Sequence, residues 1–133
     1  MTVVVGYVPD ASGLQAVRLA AQEALWRDSD VIVVNVIGGA GYAHPTAADE
    51  KNLDALDAEL TAGGVRHEIR TIEATTGQRP AEALLEAADQ SDAELVVVGI
   101  KRVSPVAKAV LGSTAQRVLM GAPCPVLTIR SAD

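Results

Sequence analysis

Short runs of consecutive apolar residues alternate along this chain with segments in which apolar side chains return every three or four positions. The runs are Val3-Val4-Val5, Val31-Ile32-Val33-Val34 and Leu95-Val96-Val97-Val98. Unbroken β-branched runs of this kind fit strands covered on both faces, since a strand with one wet face would alternate. Residues 65 to 73 are far more polar, and Val126 to Arg130 forms a short last run, so these two predict the sheet edges. Between the strands, helical spacing links Leu14, Val17, Ala21, Ala24 and Leu25, then Leu53, Leu56 and Leu60. It also links Ala81, Leu84, Leu85 and Ala88, then Ala115, Val118 and Leu119. The pattern predicts five strands and four helices, an α/β fold with an open parallel sheet and helices on both faces. Capping spacings at Ser12 with Gln15, Thr46 with Asp49 and Ser113 with Gln116 mark helix starts, as does Pro80. Gly63-Gly64 and Gly121 mark helix ends.

In such a sheet, ligands bind outside the carboxyl ends of the strands, where the winding direction reverses. With the first strand central, the expected crevice is lined by Tyr7 to Asp10, by Val36 and Ile37, and by the segment after Val98. The long irregular segment from Gly38 to Ala48, rich in Gly and Ala, also follows a strand's carboxyl end, where loops of that length tend to carry function.

Length and composition narrow the function. At 133 residues and 49% apolar content, the chain is expected to fold as one domain, 1–133, without disulfides or metals. Its only aromatic residues are Tyr7, Trp26 and Tyr42, which argues against a stacking platform for single-stranded nucleic acid. A net charge of -6 argues against a duplex binder, so no nucleic-acid partner is expected. Met1 to Val8 runs into an apolar strand without a charged leader or cleavage site, and no apolar run approaches the roughly 20 residues that span a bilayer. The expectation is a cytoplasmic protein without a membrane partner. The lone Cys124, between two prolines and without a nearby histidine, reads as a small hydrophobe at the start of a strand.

Charge is unevenly placed. From Leu95 onward there are five basic residues, Lys101, Arg102, Lys108, Arg117 and Arg130, against one acid, Asp133, whereas the preceding part has six basic and sixteen acidic residues. In an acidic protein, this concentration between an apolar strand and Gly112-Ser113-Thr114 points to a local anion site. Gly99 follows the buried run directly and lets a backbone approach without a Cβ in the way. Gly112-Ser113-Thr114 opens a helix, where unpaired N–H groups and the dipole favour an anion and two hydroxyls can donate to phosphate oxygens. Lys101, Arg102 and Lys108 are placed to add charge-assisted contacts. The plainer alternative is that Ser113 caps the helix with Gln116 and the lysines are solvated.

The segment resembles the universal stress protein family. That family's nucleotide-binding pattern is Gly, two residues, Gly, nine residues, Gly, then Ser or Thr. Here Gly99, Gly112 and Ser113 match and Arg102 replaces the second glycine. The resemblance extends along the whole chain, through the helix with Ala16 to Leu25, Thr76-Gly77-Gln78-Arg79-Pro80-Ala81, Glu94 to Gly99 and Ala122 to Ile129. It implies a Rossmann-like sheet in order 3-2-1-4-5 that binds ATP or another adenine nucleotide, with room for Mg only alongside ATP. It also implies a homodimer joined through edge strand Val126 to Ile129, and a stress-response sensor or regulator rather than an enzyme. Family members usually place an aspartate just after the first strand; Val8 stands there, with Asp10 two residues later. The implied nucleotide site is Val8, Asp10, Val36, Gly99, Lys101, Arg102, Lys108, Gly112, Ser113 and Thr114. Arg102 either supplies a guanidinium to the phosphates or obstructs the close backbone approach.

Other readings have less to stand on. His44 and His67 lack partners at metal or triad spacing and read as surface or satisfied residues. Asp54, Asp57 and Glu59, like Glu82, Glu86 and Asp89, read as solvated helix faces. A receiver domain would need an aspartate ending the third strand, where Ile72-Glu73-Ala74 stands. An ATP pyrophosphatase would need a Ser-Gly-Gly loop in place of Val8-Pro9-Asp10-Ala11-Ser12. The serious rival is a dimeric interaction or scaffold module whose crevice no longer binds nucleotide.

Overall fold

A computed structural model describes residues 1–8, 11–38, 50–75, 77–100 and 113–130. Within them the elements run β1 (Thr2–Gly6), α1 (Ala11–Arg27), β2 (Asp30–Gly38), α2 (Glu50–Ala62), β3 (His67–Ala74), α3 (Pro80–Gln90), β4 (Leu95–Ile100), α4 (Ser113–Gly121) and β5 (Val126–Arg130). All strand pairs are parallel, and the sheet order is β3-β2-β1-β4-β5. The expected α/β architecture and both edge assignments hold.

The unbroken runs are explained by two cores, one on each face. On one face Val3, Val5, Val31, Val33, Leu95 and Val97 pack against Ala16, Val17, Ala20 and Ala24 of α1 and Leu56 and Leu60 of α2. On the other, Val4, Ile32, Val34, Val96 and Val98 pack against Ala81, Leu84, Ala87 and Ala88 of α3 and Val118 of α4. Successive strand side chains point to opposite faces, so each run feeds both cores at once. β3 is half-exposed for most of its length and β5 keeps Thr128 and Arg130 exposed, which is why these two strands read as more polar.

Three helices end in the same way. At α1, Ser29 N–H donates to Ala24 (2.8 Å) and Asp28 N–H to Leu25 (3.4 Å); at α2, Val65 donates to Leu60 (3.0 Å) and Gly64 to Thr61 (3.1 Å). At α3, Ala93 donates to Ala88 (3.0 Å) and Asp92 to Asp89 (3.2 Å). This is the Schellman arrangement, whose turning residue takes a positive φ. Gly64 has φ 72°, and Asp28 and Asp92 take 53° and 50°. Gly63-Gly64 and Gly121 end helices as expected. At the helix starts, Pro80 opens α3 and the Arg79 N–H donates to Glu82 (3.5 Å). Ser12 departs from its expected position: α1 begins at Ala11, and Ser12 lies buried inside its first turn. The Thr46–Asp49 signal and residues 39–48 of the Gly- and Ala-rich loop lie outside the described residues.

Candidate functional site

The topological reversal falls between β1 and β4, the two central strands that lead to opposite halves of the sheet. Their carboxyl ends carry the chain into Tyr7-Val8 and Gly99-Ile100. Tyr7 is buried and its N–H donates to Val34 (3.0 Å), which continues the β1–β2 ladder one step past Gly6. Val8, by contrast, is 40% exposed. Val36, on β2, is half-buried and packs against the α3–α4 core beside Ile72, its partner on β3. Val8, Val36 and Gly99 therefore stand at the same end of three adjacent strands.

The close approach that Gly99 permits is made from inside the protein. A Cβ at Gly99 would strike the Ser12 carbonyl oxygen and stand 2.8 Å from its carbonyl carbon. The first turn of α1 lies directly on β4. Gly13 shows the same device, since a Cβ there would collide with the Val8 carbonyl oxygen and come within 2.8 Å of the Val8 carbonyl carbon and nitrogen. Two glycines thus press the amino end of α1 onto the ends of β1 and β4, at the crevice. Sequence reasoning missed Gly13 because a glycine in the first turn of a helix leaves no mark on periodicity. Asn35, the one polar residue in the β2 run Val31 to Ile37, was also passed over; it is buried, one residue before Val36.

α4 begins at Ser113, at the place expected, and Thr114 is exposed in its first turn, where N–H groups and the dipole favour an anion. Arg117, a turn further on, donates to Glu82 at the start of α3 (3.2 Å). One of the five cations of the basic segment is thereby matched by an acid. Asp10, Lys101, Arg102, Lys108 and Gly112, and the side chain of Ser113, lie outside the described residues.

Away from the crevice, two acids read as solvated have partners. Glu59 receives a bidentate pair from Arg18 (2.8 and 3.1 Å), which holds its carboxyl below the usual range. The pair bridges a shallow groove between α1 and α2, lined by Ala21, Leu25, Leu60 and Val65 near the amino ends of the strands. Asp57 accepts from His67 across 2.7 Å, which gives His67 the carboxylate partner that sequence spacing did not reveal. Cys124 packs against the α3–α4 core, and burial pushes its thiol pKa up, as befits a small hydrophobe. Among the described residues no group of three or more His, Cys, Asp and Glu side chains is placed to hold a metal, and no helix is long and apolar enough to cross a membrane.

Comparison with known proteins gives one answer throughout. The model of the universal stress protein family matches residues 1–130. A universal stress protein from Mycolicibacterium smegmatis is 40% identical over 128 residues, 96% of both chains. Among solved structures, a universal stress protein in complex with cAMP is 27% identical with a TM-score of 0.75, covering 99% of this chain and 98% of the other. One from Archaeoglobus fulgidus in complex with dAMP is 25% identical with a TM-score of 0.70, covering 97% of each.

Proposed function

The chain belongs to the universal stress protein family, and from that premise we propose that it binds an adenine nucleotide, ATP or AMP/cAMP, in the crevice between β1 and β4. In this reading it is a stress-response sensor or regulator in the cytoplasm, not an enzyme, built as one domain over 1–133 and paired as a homodimer through β5. The observation that supports it most directly is the correspondence of almost the entire chain with a structure in complex with cAMP.

Val8 and Val36 flank the base in this proposal, and Asp10 is the acid nearest the ribose. Gly112 admits the backbone to the phosphates, Ser113 and Thr114 donate to them, and Lys101, Arg102 and Lys108 neutralise them. Gly99 admits the backbone to the ribose and, with Gly13, seats α1 beside it. Mg enters only with ATP, whose phosphates are its usual ligands.

Calorimetric titration with ATP, AMP and cAMP at near-physiological salt tests the proposal, together with mass spectrometry of ligand carried through purification. Binding with a Kd of about 1 μM, or about -8 kcal/mol, for any of the three is the expected result. Silence from all three in a folded protein overturns it. Gly112→Val should abolish binding and leave the fold intact, whereas unaltered affinity would refute the placement. Arg102→Gly weakens binding if the guanidinium contacts phosphate and strengthens it if the side chain obstructs the crevice; no change makes Arg102 a bystander. A second reading, an interaction module with a degenerate site, draws support from Leu119 and Met120, which α4 leaves exposed just ahead of edge strand β5.

A further inference from the structure

His67 occupies the first position of β3 and points to the same face as Val65 and Ile69, under α2. Its side chain is only 10% exposed. Nδ1 lies 2.7 Å from the Val65 carbonyl oxygen and Nε2 lies 2.7 Å from Asp57 Oδ1 on α2. Both partners are acceptors. A neutral imidazole carries one N–H and can satisfy only one of them, while the imidazolium donates to both. The site is therefore built for the charged ring.

We propose that His67 is a pH-sensitive clasp that, as the imidazolium, ties α2 to the edge strand β3 and tightens that contact on acidification. The surrounding charges leave Asp57 as its partner. On β2 the residue in register with His67 is Val31, and the nearby Asp30 is engaged by Arg66 (2.6 Å). Arg66, just before β3, also reaches Asp28 (3.4 Å), and on β3 Glu68, on the opposite face, is held by Arg70 (2.7 Å). α3 packs on that opposite face; there Glu82 accepts from Arg117, Glu86 accepts from Gln78 and Gln90, and Asp89 is exposed. On α2 itself Asp54 and Lys51 are exposed, and Glu59 is taken by Arg18.

Burial of the ring opposes its charge, but the Val65 and Asp57 hydrogen bonds and the Asp57 carboxylate outweigh it and hold the pKa above its ordinary 6.5. A raised folded-state pKa gives stabilisation that is fully present below the unfolded value and is lost as pH rises through the folded one. The clasp therefore holds in acid and relaxes in base, independently of any nucleotide.

Proton NMR of the intact chain reads both halves of this proposal. His67→Gln assigns the His67 imidazole resonance against that of His44. Its titration midpoint should lie above 6.5 and fall in Asp57→Asn, a variant at an exposed helix position that retains the fold. Amide-exchange protection of α2, corrected for intrinsic rates, should decrease as pH rises through that midpoint, by about tenfold for each unit the midpoint stands above its unfolded value. Protection of α3 should not follow it, and Asp57→Asn should flatten the α2 response. A midpoint at or below 6.5, or the same α2 response in Asp57→Asn as in the parent protein, overturns the clasp.

Discussion

Two glycines near the crevice show how a single missing Cβ can position an element. In a helix, replacing Gly13 by alanine would ordinarily gain about 1 kcal/mol of helix propensity. Here the added carbon would collide with the Val8 carbonyl oxygen and stand 2.8 Å from two other backbone atoms of Val8, which cannot rotate away as a side-chain end can. Overpacking of this kind typically costs about 1–3 kcal/mol, so the clash wins and Gly13→Ala is expected to lower the urea midpoint. Gly99→Ala meets the backbone of Ser12 and should behave alike in the nucleotide-free protein. If Gly99 served ligand approach alone, stability without ligand would be unchanged. Gly121 is a milder case, since its nearest obstacle is the Leu85 Cδ1 methyl at 2.9 Å, the end of a flexible side chain.

At the scale of elements, the helix ends separate what the sequence makes legible from what it does not. Gly63-Gly64 reads as a stop because glycine is the residue that turns left-handed without strain, and α2 does end there. Asp28 and Asp92 perform the same turn for α1 and α3 without any such mark, since aspartate adopts that conformation only where capping bonds hold it. Asp92→Gly should therefore stabilise the protein by about 0.5–1 kcal/mol, relief of strain being partly offset by the greater freedom of glycine in the unfolded chain. Gly64→Ala should destabilise by about 1–2 kcal/mol, although nothing stands within 4 Å of its added carbon, because the cost lies in φ 72°. Paired thermal melts check both signs. The same contrast runs through the rest of the molecule. Hydrophobic period gave access to the strands, the sheet edges and most of the buried helix positions, because two-sided burial writes itself into residues such as Val31 to Val34. Strand order came from the family resemblance, and Leu25 and Leu119, which share the helical spacing, are exposed. Partnerships across elements left no period: His67 with Asp57, Arg18 with Glu59, and Arg117 with Glu82 are joined by the fold, at separations set by topology. For the candidate site, the sheet end and the start of α4 were legible from strand order and the Gly-Ser-Thr turn. The seating of α1 by Gly13 and Gly99 was not.

For the whole molecule, the outer edge of β5 is where the proposed pairing of two copies can be tested. Val96 N–H donates to the Pro125 carbonyl (3.0 Å), and β4 and β5 pair in register from Val96↔Val126 to Ile100↔Arg130. In a parallel ladder, successive residues alternate in the side toward which they direct N–H and C=O. With Pro125, Leu127 and Ile129 bonding inward to β4, the N–H groups of Val126, Thr128 and Arg130 point to the free edge. Leu127 and Ile129 are committed to the α1 face, while Met120 is 89% exposed on α4. An edge strand of this kind invites a second strand. Thr128→Pro removes an outward donor and places a ring on that edge while sparing the inward bonds, a position at which proline is tolerated in a sheet. If copies pair through β5 as proposed, sedimentation should show a dimer in the parent protein and a folded monomer in Thr128→Pro. Met120→Lys should weaken the dimer less, since it adds a charge beside the strand without removing a backbone bond. A dimer that withstands Thr128→Pro would place the subunit contact elsewhere. It would leave β5 as an edge protected by its shortness and by the charge of Arg130.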